Sequence, residues 1–548
     1  MPQKFIFITG GVMSGLGKGI TTSSIGRLLM SKGYLVTAMK IDPYINIDAG
    51  TMRPTEHGEV FVTKDGGEID QDLGNYERFL SIELTKESNL TTGKVYKKVI
   101  EKERRGDYLG KTVQPIPHIT NEIKKTIKKN IKDKDILLIE IGGTVGDYEN
   151  VLFLEAARQM KLEQGNENIA YVHVTLLPKP PSLGEAKTKP TQHSIKMLNQ
   201  MGIQPDFLVC RTTNGGLDEI RKEKLSMFCN LQKGNIINNP DVKTIYEVPL
   251  LFDEQNFGEK ILKKLNLKPK ANTLYPWKLM VENIKKAEKE VKIGVVGKYL
   301  KTGEGQLIDS YISVNEAIKH ACGKLKVKPK IVWISAKEIE ENEEKLKELN
   351  KLDAVIVPGG FGKTGIEGKI KTIQHCRKNN IPYLGLCLGL QLAVIEFARN
   401  KCNLKNANST EFDKNTPYPV IDFLPEQKQI LKKGGTMRLG EYTAVLKENT
   451  KVKELYSSLD RIENKNEIKE RHRHRYEVNP EYHKILIDNG LVISGTSPDK
   501  KLIEFIELPN HKYFIATQAH PEFTSKLGQP NPLFYGLIKA AIKQNNGR

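Results

Sequence analysis

The 548-residue sequence predicts an α/β protein built from two doubly wound parallel-sheet domains. Three observations carry the prediction. Short apolar, β-branched runs alternate with longer helical patterns, the alternation starts twice, and each half has a glycine-rich turn directly after one of the runs. A chain of this length also exceeds what one compact core can organise, so several domains are expected.

In the first half the runs lie at 5–8, 136–140, 171–177 and 207–210. They are continuously apolar rather than alternating, as in strands covered by helices on both faces. The rhythm pauses at a Lys/Pro/Asn-rich segment that gives way to a charged, helix-like stretch at 280–290. These shifts set the expected limits: one domain over 1–266, a linker over 267–290 and a second domain over 291–548. In the second half the runs lie at 291–296, 330–334, 353–357 and 383–386, and the Lys/Glu-rich stretch 338–350 reads as a solvated helical face.

The formal charge of +19 favours anionic ligands, but the lysines run along the whole chain instead of forming one basic face. Nucleotide pockets account for that charge, and no nucleic-acid partner is expected. Six cysteines without a CxxC pair exclude a disulfide framework and a zinc knuckle. Met1-Pro2-Gln3-Lys4 leads into a short apolar run, not a secretory segment, and no stretch approaches the roughly 20 apolar residues of a spanning helix. A cytoplasmic protein without membrane attachment is the expectation.

The first glycine-rich turn runs Gly10-Gly11-Val12-Met13-Ser14-Gly15-Leu16-Gly17-Lys18-Gly19-Ile20-Thr21 and opens a helical pattern. Strand, turn and helix start converge backbone N–H groups and the helix dipole on an anion, and Lys18 adds charge for terminal phosphates. The strict GxxxxGK[ST] spacing fails: Val12 stands at its first glycine, and Gly19 replaces the metal-binding hydroxyl residue. A magnesium ion must then be held by carboxylates from elsewhere, and Asp72 and Glu140 are suitable oxygen donors, Glu140 at the carboxyl end of a strand. The proline-broken segment Gly184-Glu185-Ala186-Lys187-Thr188-Lys189-Pro190-Thr191-Gln192 offers a clamp for a second triphosphate.

In the second half Gly385-Leu386-Cys387-Leu388-Gly389 follows a strand and precedes the helical pattern 390–398, the layout of a nucleophile elbow with cysteine as nucleophile. Val357-Pro358-Gly359-Gly360-Phe361-Gly362 can present N–H groups to an oxyanion, completed by the N–H of Leu388. In Gln518-Ala519-His520-Pro521-Glu522, an extended backbone would put His520 and Glu522 on one side, the histidine to take the thiol proton and the glutamate to orient it.

Taken together these segments resemble the CTP synthase family, in which a phosphate-loop synthetase domain of dethiobiotin-synthetase-like fold is fused to a flavodoxin-like class I glutamine amidotransferase domain. The resemblance extends over Lys40-Ile-Asp-Pro-Tyr-Ile-Asn46, Gly58-Glu-Val-Phe-Val62, Glu140-Ile-Gly-Gly-Thr-Val-Gly146 and Phe228-Cys-Asn230. It implies ATP on Ser14, Gly15, Leu16, Gly17, Lys18, Gly19 and Ile20, Mg²⁺ on Asp72 and Glu140, and Lys18 and Lys40 on the transferring phosphoryl group. It implies a UTP/CTP site at Asp147, Tyr148, Glu149, Lys187, Thr188, Lys189, Pro190, Thr191, Gln192 and Lys224, and adenine contacts at Pro240, Asp241 and Val242. Glutamine is implied at Gly360, Leu388, Gly389, Leu390, Gln391, Glu411 and Arg475, with Cys387, His520 and Glu522 catalytic. The segment 434–440 is similar to the lid through which GTP promotes glutamine hydrolysis. The resemblance further implies internal passage of ammonia, feedback inhibition by CTP and a homotetramer built as a dimer of dimers. The Lys-rich stretch 121–135 has no counterpart in this pattern. Two readings compete: another glutamine-dependent ligase with a related loop, of the cobyrinate-amidating kind, and a basic nucleic-acid binder. The uridine-clamp matches and the intact His-Pro-Glu speak against the first. The second would leave the catalytic groups without a purpose.

Overall fold

The computed structural model describes residues 3–547 apart from 54–57, 181–183, 214–215, 299–300, 303–304, 307, 361 and 424–436. The chain forms two compact units. One comprises Met1–Thr51 with Ile69–Val281, the other Met52–Glu68 with Glu282–Arg548.

The strands up to residue 240 are β1 (Lys4–Gly10), β2 (Val36–Asp42), β3 (Val60–Val62), β4 (Glu68–Asp70), β5 (Asn89–Thr91), β6 (Ile136–Ile141), β7 (Ile169–Leu177), β8 (Phe207–Thr212) and β9 (Ile236–Pro240). Seven of them form a parallel sheet in the order β5-β2-β6-β1-β7-β8-β9, while β3 and β4 form a separate hairpin. β1 and β6 are buried along their whole length. The apolar side chains of both faces therefore need helices over them, and each crossover supplies one. The chain order reverses on either side of β1, and loops leaving the carboxyl ends there open a crevice of the kind that binds ligands in open α/β sheets. Helix Tyr275–Lys286 starts ahead of the charged stretch at 280–290, because Trp277 anchors it: its ring is buried against Phe79 and Tyr246 and its N–H donates to Tyr246 O at 2.9 Å.

The remaining strands are β10 (Glu290–Gly297), β11 (Lys301–Thr302), β12 (Gly305–Gln306), β13 (Lys328–Ser335), β14 (Ala354–Val357), β15 (Tyr383–Leu386), β16 (Ala407–Ser409), β17 (Tyr418–Asp422), β18 (Arg438–Leu446), β19 (Glu467–His474), β20 (Glu477–Val478), β21 (Val492–Thr496), β22 (Ile503–Glu507) and β23 (Phe514–Thr517). A nine-stranded sheet runs β13-β10-β14-β15-β23-β22-β21-β18-β19. Its first five strands are parallel and the rest antiparallel, so this sheet is only partly the parallel one expected from sequence. The segment 52–68 packs in this unit: Glu441 N donates to Lys64 O at 2.8 Å, Arg471 Nη1 to Val62 O at 3.0 Å, and Phe61 meets Phe523 edge to face. Among the described residues no helix is long and apolar enough to cross a membrane, and all six cysteines are buried thiols.

Candidate functional site

In the first unit β1 ends at Gly10, and helix Lys18–Ser31 starts after a turn in which Gly15 and Gly17 adopt φ of 72° and 79°. At Gly17 only glycine takes that conformation without strain, and it directs the following N–H groups outward from the helix start. Lys18 Nζ donates to Gly143 O at 2.8 Å, and burial pushes its pKa down despite the attraction of Glu140. Behind the turn, Thr9 Oγ1 and His173 Nδ1 lie 2.8 Å apart and His173 Nε2 and Ser194 Oγ 2.7 Å. Burial, reinforced by Lys18, holds His173 at about 3, so this link is made by a neutral ring.

The carboxyl end of β2 carries Lys40 and that of β6 carries Glu140. Helix Asp72–Leu80 begins with the third partner. Lys40 Nζ lies 2.7 Å from Glu140 Oε1 and also bonds Asp72. Burial alone would lower its pKa, yet Asp72, Glu140 and Asp42 hold it well above the ordinary lysine value. Burial and the neighbouring Asp72 and Asp42 push Asp70 up to about 8. Gly19 explains the departure from the usual phosphate loop: a Cβ there would stand 3.0 Å from Asp72 Cγ and closer still to Oδ1. The volume a Ser or Thr would occupy is filled by the Asp72 carboxylate. Two further members were not read from the sequence. Thr22, four residues beyond Lys18, and Tyr76, four beyond Asp72, both bond Glu140 Oε2. Helical i, i+4 spacing from the two motif residues is the signal that could have found them.

The clamp differs in one respect from the sequence reading. Lys189 and Pro190 are not on a broken loop but in the first turn of helix Lys189–Gln200, where proline is tolerated because its missing N–H would be unpaired anyway. That helix backs both nucleotide segments, since Ser194 fills the space beside Gly11 and Met197 the space beside Gly146. Thr188, which caps this helix, and Thr191 and Gln192 within it are buried, Thr191 bonding Thr175 Oγ1 at 3.1 Å and Gln192 bonding Thr188 Oγ1 at 3.1 Å. Lys187 pairs with Glu185 at the exposed edge, within electrostatic reach of Lys224 on helix Glu219–Cys229. Asp147 accepts from Thr144 N at 2.9 Å, whereas Tyr148 and Glu149 are exposed. Pro240 and Asp241 are drawn toward the phosphate turn by Arg211, which donates to Pro240 O at 3.2 Å and Asp241 Oδ1 at 2.7 Å and whose Nε stands 4.0 Å from where a Gly17 Cβ would be. Val242 is half-buried beside them, and Arg211 had no motif to reveal it.

In the second unit Cys387 sits between β15 and helix Leu388–Asn400 with φ of 50° and ψ of −101°. A non-glycine residue there is strained, as expected of an elbow that lifts a nucleophile clear of the sheet. The flanking glycines are steric necessities. A Cβ at Gly385 would stand 2.8 Å from the Gly389 carbonyl carbon, and one at Gly389 3.3 Å from the Val357 carbonyl carbon and nearer its oxygen. Gly359 is packed so closely that a Cβ would lie 2.8 Å from His520 Cε1 and 3.6 Å from Cys387 Cβ.

His520 Nδ1 donates to Glu522 Oε1 at 2.6 Å. The backbone is not extended there: Pro521 starts a 3₁₀ turn over Pro521–Thr524, and this turn brings the carboxylate onto the ring. Burial opposes charge on His520, but Glu522 and the hydrogen-bonded Cys387 overcome it and raise its pKa to about 10. The site therefore favours an imidazolium beside the Cys387 sulfur.

Gly360, Cys387, Leu388, Gln391, Glu411 and Arg475 line one pocket together with His474 and Tyr476. Gln391 Nε2 donates to Tyr476 O at 2.9 Å, while Gly389 and Leu390 are buried in the helix start and shape the pocket from behind. Glu411, raised by burial against the pull of Lys298 and Arg475, and the Arg475 guanidinium put opposite charges at one end, a pattern suited to an α-amino acid. A second cavity at Cys387 is lined also by Glu59, Val60, Ser310, Tyr311, Val314 and Phe523. Of the lid segment 434–440, residues 434–436 lie outside the described residues, as does Phe361 of the glycine turn.

The family description "CTP synthase N-terminus" matches residues 4–267, and "Glutamine amidotransferase class-I" matches residues 306–540. A curated CTP synthase of Methanococcus maripaludis is 57% identical over 547 residues, which cover 99% of this chain and 100% of that one. Those of Methanocaldococcus jannaschii and Caldanaerobacter subterraneus are 56% and 55% identical, covering 98% and 99% of this chain and the same shares of their own.

Proposed function

The chain belongs to the CTP synthase family, and from that premise we propose how its two sites carry out the glutamine-dependent amination of UTP to CTP. The observation that carries the reading is the joining of Cys387, on a strained elbow, to the His520–Glu522 pair beside a pocket with opposite charges at Glu411 and Arg475.

In the glutaminase site Glu411 receives the α-ammonium of glutamine and Arg475 its α-carboxylate, leaving the carboxamide at Cys387. As His520 holds the proton taken from Cys387, the sulfur forms an S–C bond while the carbonyl pair moves to oxygen, where the N–H groups of the glycine turn and of Leu388 stabilise it. His520 then gives its proton to the departing nitrogen, the C–N bond breaks, and ammonia leaves a thioester. Water, deprotonated by the same ring, hydrolyses the thioester to glutamate.

In the synthetase site the C4 oxygen of UTP is a poor leaving group until it accepts the γ-phosphoryl of ATP. That transfer needs positioning and charge neutralisation more than covalent help. The phosphate turn and Lys18 hold the triphosphate, and Lys40 faces the phosphoryl group in flight. Ammonia attacks C4, phosphate leaves with the C–O pair, and loss of a proton gives CTP. Asp72 and Glu140 fit a magnesium ion: both are hard oxygen donors, and both already converge on one cation, the Lys40 ammonium. Once bound there, Mg²⁺ neutralises charge on the phosphates.

The uridine nucleotide takes Asp147, Tyr148, Glu149, the residues Lys187 to Gln192, and Lys224, and the adenine takes Pro240, Asp241 and Val242. GTP activation, CTP inhibition, a cytoplasmic homotetramer and the division of the chain at 266 and 291 complete the proposal on family grounds. Cys387→Ala tests it. Glutamine-dependent synthesis is expected to fall by about three orders of magnitude or more, while synthesis from ammonium chloride at elevated pH persists. Retained glutamine-dependent activity would overturn the nucleophile assignment, and loss of both activities the separation of the sites.

A further inference from the structure

Lys369 lies on helix Ile366–Lys378, in the first turn, and its side chain is completely buried. Fully buried lysines are rare and need a reason. Nζ donates to Pro358 O at 2.9 Å, at the start of the glycine turn that closes over Cys387. Lys298 bonds the carbonyl of Gly362, so lysine amines hold this turn at both ends. The helix is itself fixed closely: a Cβ at Gly368 would collide with the Ala336 carbonyl, and one at Gly365 would stand 3.0 Å from Ala336 Cβ. Lys369 therefore projects from an anchored base. Burial, with Lys298 nearby, drives its pKa well below the ordinary lysine value.

A trans peptide keeps its C=O and N–H on opposite sides. Anchoring the Pro358 carbonyl on Lys369 thus turns the Gly359 N–H away from the helix and fixes the plane from which Gly359 and Gly360 continue. Donation to that carbonyl also polarises the peptide and strengthens its N–H as a donor. Gly359 has no slack, since it packs on both His520 and Cys387. Oxyanion stabilisation depends on donors held to a few tenths of an ångström, and a carbonyl left without this amine would let the turn settle elsewhere.

We propose that Lys369 is a positioning residue of the glutaminase site: it holds the Pro358–Gly359 peptide so that the glycine turn keeps its N–H groups on the oxyanion formed at Cys387. The inference rests on the glutaminase reading of that site and adds a residue that touches neither substrate nor nucleophile.

Lys369→Met tests it, because Met keeps the unbranched length and most of the volume while removing the donor. The kcat of glutamine hydrolysis is expected to fall about tenfold or more, with KM for glutamine unchanged within about twofold. Alkylation of Cys387 by iodoacetamide, followed by peptide mass spectrometry, forms no oxyanion and should keep its rate within about twofold. A disordered site would slow both reactions, and a direct effect on the thiol would shift the alkylation. Ammonia-dependent synthesis reports that the rest of the chain has folded. Lys369→Gln, whose amide falls one bond short of Pro358 O, carries the same expectation and the same refutation where Met does not fold. An unchanged kcat, a change in KM alone, or a parallel loss of alkylation overturns the proposal. Cys387→Ala run alongside separates its failure from failure of the glutaminase reading, which alone predicts total loss in that variant.

Discussion

Adding a single methyl group at position 19 is expected to lower CTP synthesis by about 10²–10³-fold while sparing glutamine hydrolysis. A Cβ on Gly19 would stand 3.0 Å from Asp72 Cγ and nearer its Oδ1, a separation real side chains do not adopt. The loop backbone cannot yield easily, because Gly11 is packed on Ser194 and Gly17 is committed to φ of 79°. Asp72 must rotate away from Lys40, which keeps Glu140 at 2.7 Å. Breaking a fully buried pair costs about 3–5 kcal/mol. Here the Asp72 side chain is 24% exposed and can be rehydrated, which reduces the cost to about 1–3 kcal/mol. Replacing glycine by alanine within a helix offsets up to about 1 kcal/mol of that. The thermal midpoint should therefore move little, whereas misplacing one preorganised charge lowers kcat by about 10²–10³-fold. The assay is ammonia-dependent CTP formation by Gly19→Ala at saturating ATP and UTP, with glutamine hydrolysis measured in parallel. Gly19→Ser, which restores the hydroxyl usual at this point of a phosphate loop, should do no better. A Gly19→Ala enzyme within about threefold of the parent kcat would refute the reasoning, since the carboxylate would then be either undisplaced or unneeded.

The parallel strands were legible because burial on both faces writes them as unbroken apolar runs: β1 and β6 could be read directly. The antiparallel half of the second sheet was not. β18 and β19 carry Arg438, Glu470, Arg471, His472 and His474, which a sequence reading assigns to the surface. They are tolerated inside because each finds a partner there: Arg438 reaches Glu477 at 3.1 Å and Glu504 at 2.8 Å, Glu470 accepts from Tyr456 Oη at 2.6 Å, Arg471 donates to Val62 O at 3.0 Å, and His472 bonds His474 at 2.9 Å. Lys369 was hidden too, because no local pattern marks a lysine on a helix as fully buried. Loops were legible where chemistry demands glycine, but the reason for a particular glycine was not. Gly19 looked like a defect in a motif until Asp72, remote in sequence, was found in its place. The membership of 52–68 in the second unit had no local signature, because backbone pairing through Lys64 O and Val62 O is indifferent to side-chain type.

Arg211→Met should raise KM for ATP about tenfold by removing a charge-assisted donor beside the phosphate turn, and leave KM for UTP unaltered; steady-state kinetics with each nucleotide varied would expose an error by an equal rise in both. The fold raises the His520 pKa from 6.5 to about 10. The protonated ring is therefore the stabilised form, and its contribution is present in full below pH 6.5 and lost as pH rises through about 10. Parent and His520→Gln should differ most in thermal midpoint at the acid end and converge toward pH 10, and a gap that widens with pH would contradict the assignment. Two glycines of the second unit differ in what an added methyl would meet. Gly362 has φ of 81° and open space around a Cβ, whereas Gly389 is helical and faces the Val357 carbonyl within 3.3 Å. Gly362→Ala thus meets only a conformational cost of about 1 kcal/mol, and glutamine-dependent synthesis should drop less than about tenfold. Gly389→Ala drives a methyl into backbone that no rotamer change can clear. The helix start must move, carrying with it the Leu388 N–H and the Cys387 elbow. Glutamine-dependent synthesis should fall by about 10²-fold or more, with ammonia-dependent synthesis kept. Should Gly362→Ala prove the more damaging, the turn rather than the elbow sets the geometry of the glutaminase, and the weight given to close packing at Gly389 is misplaced.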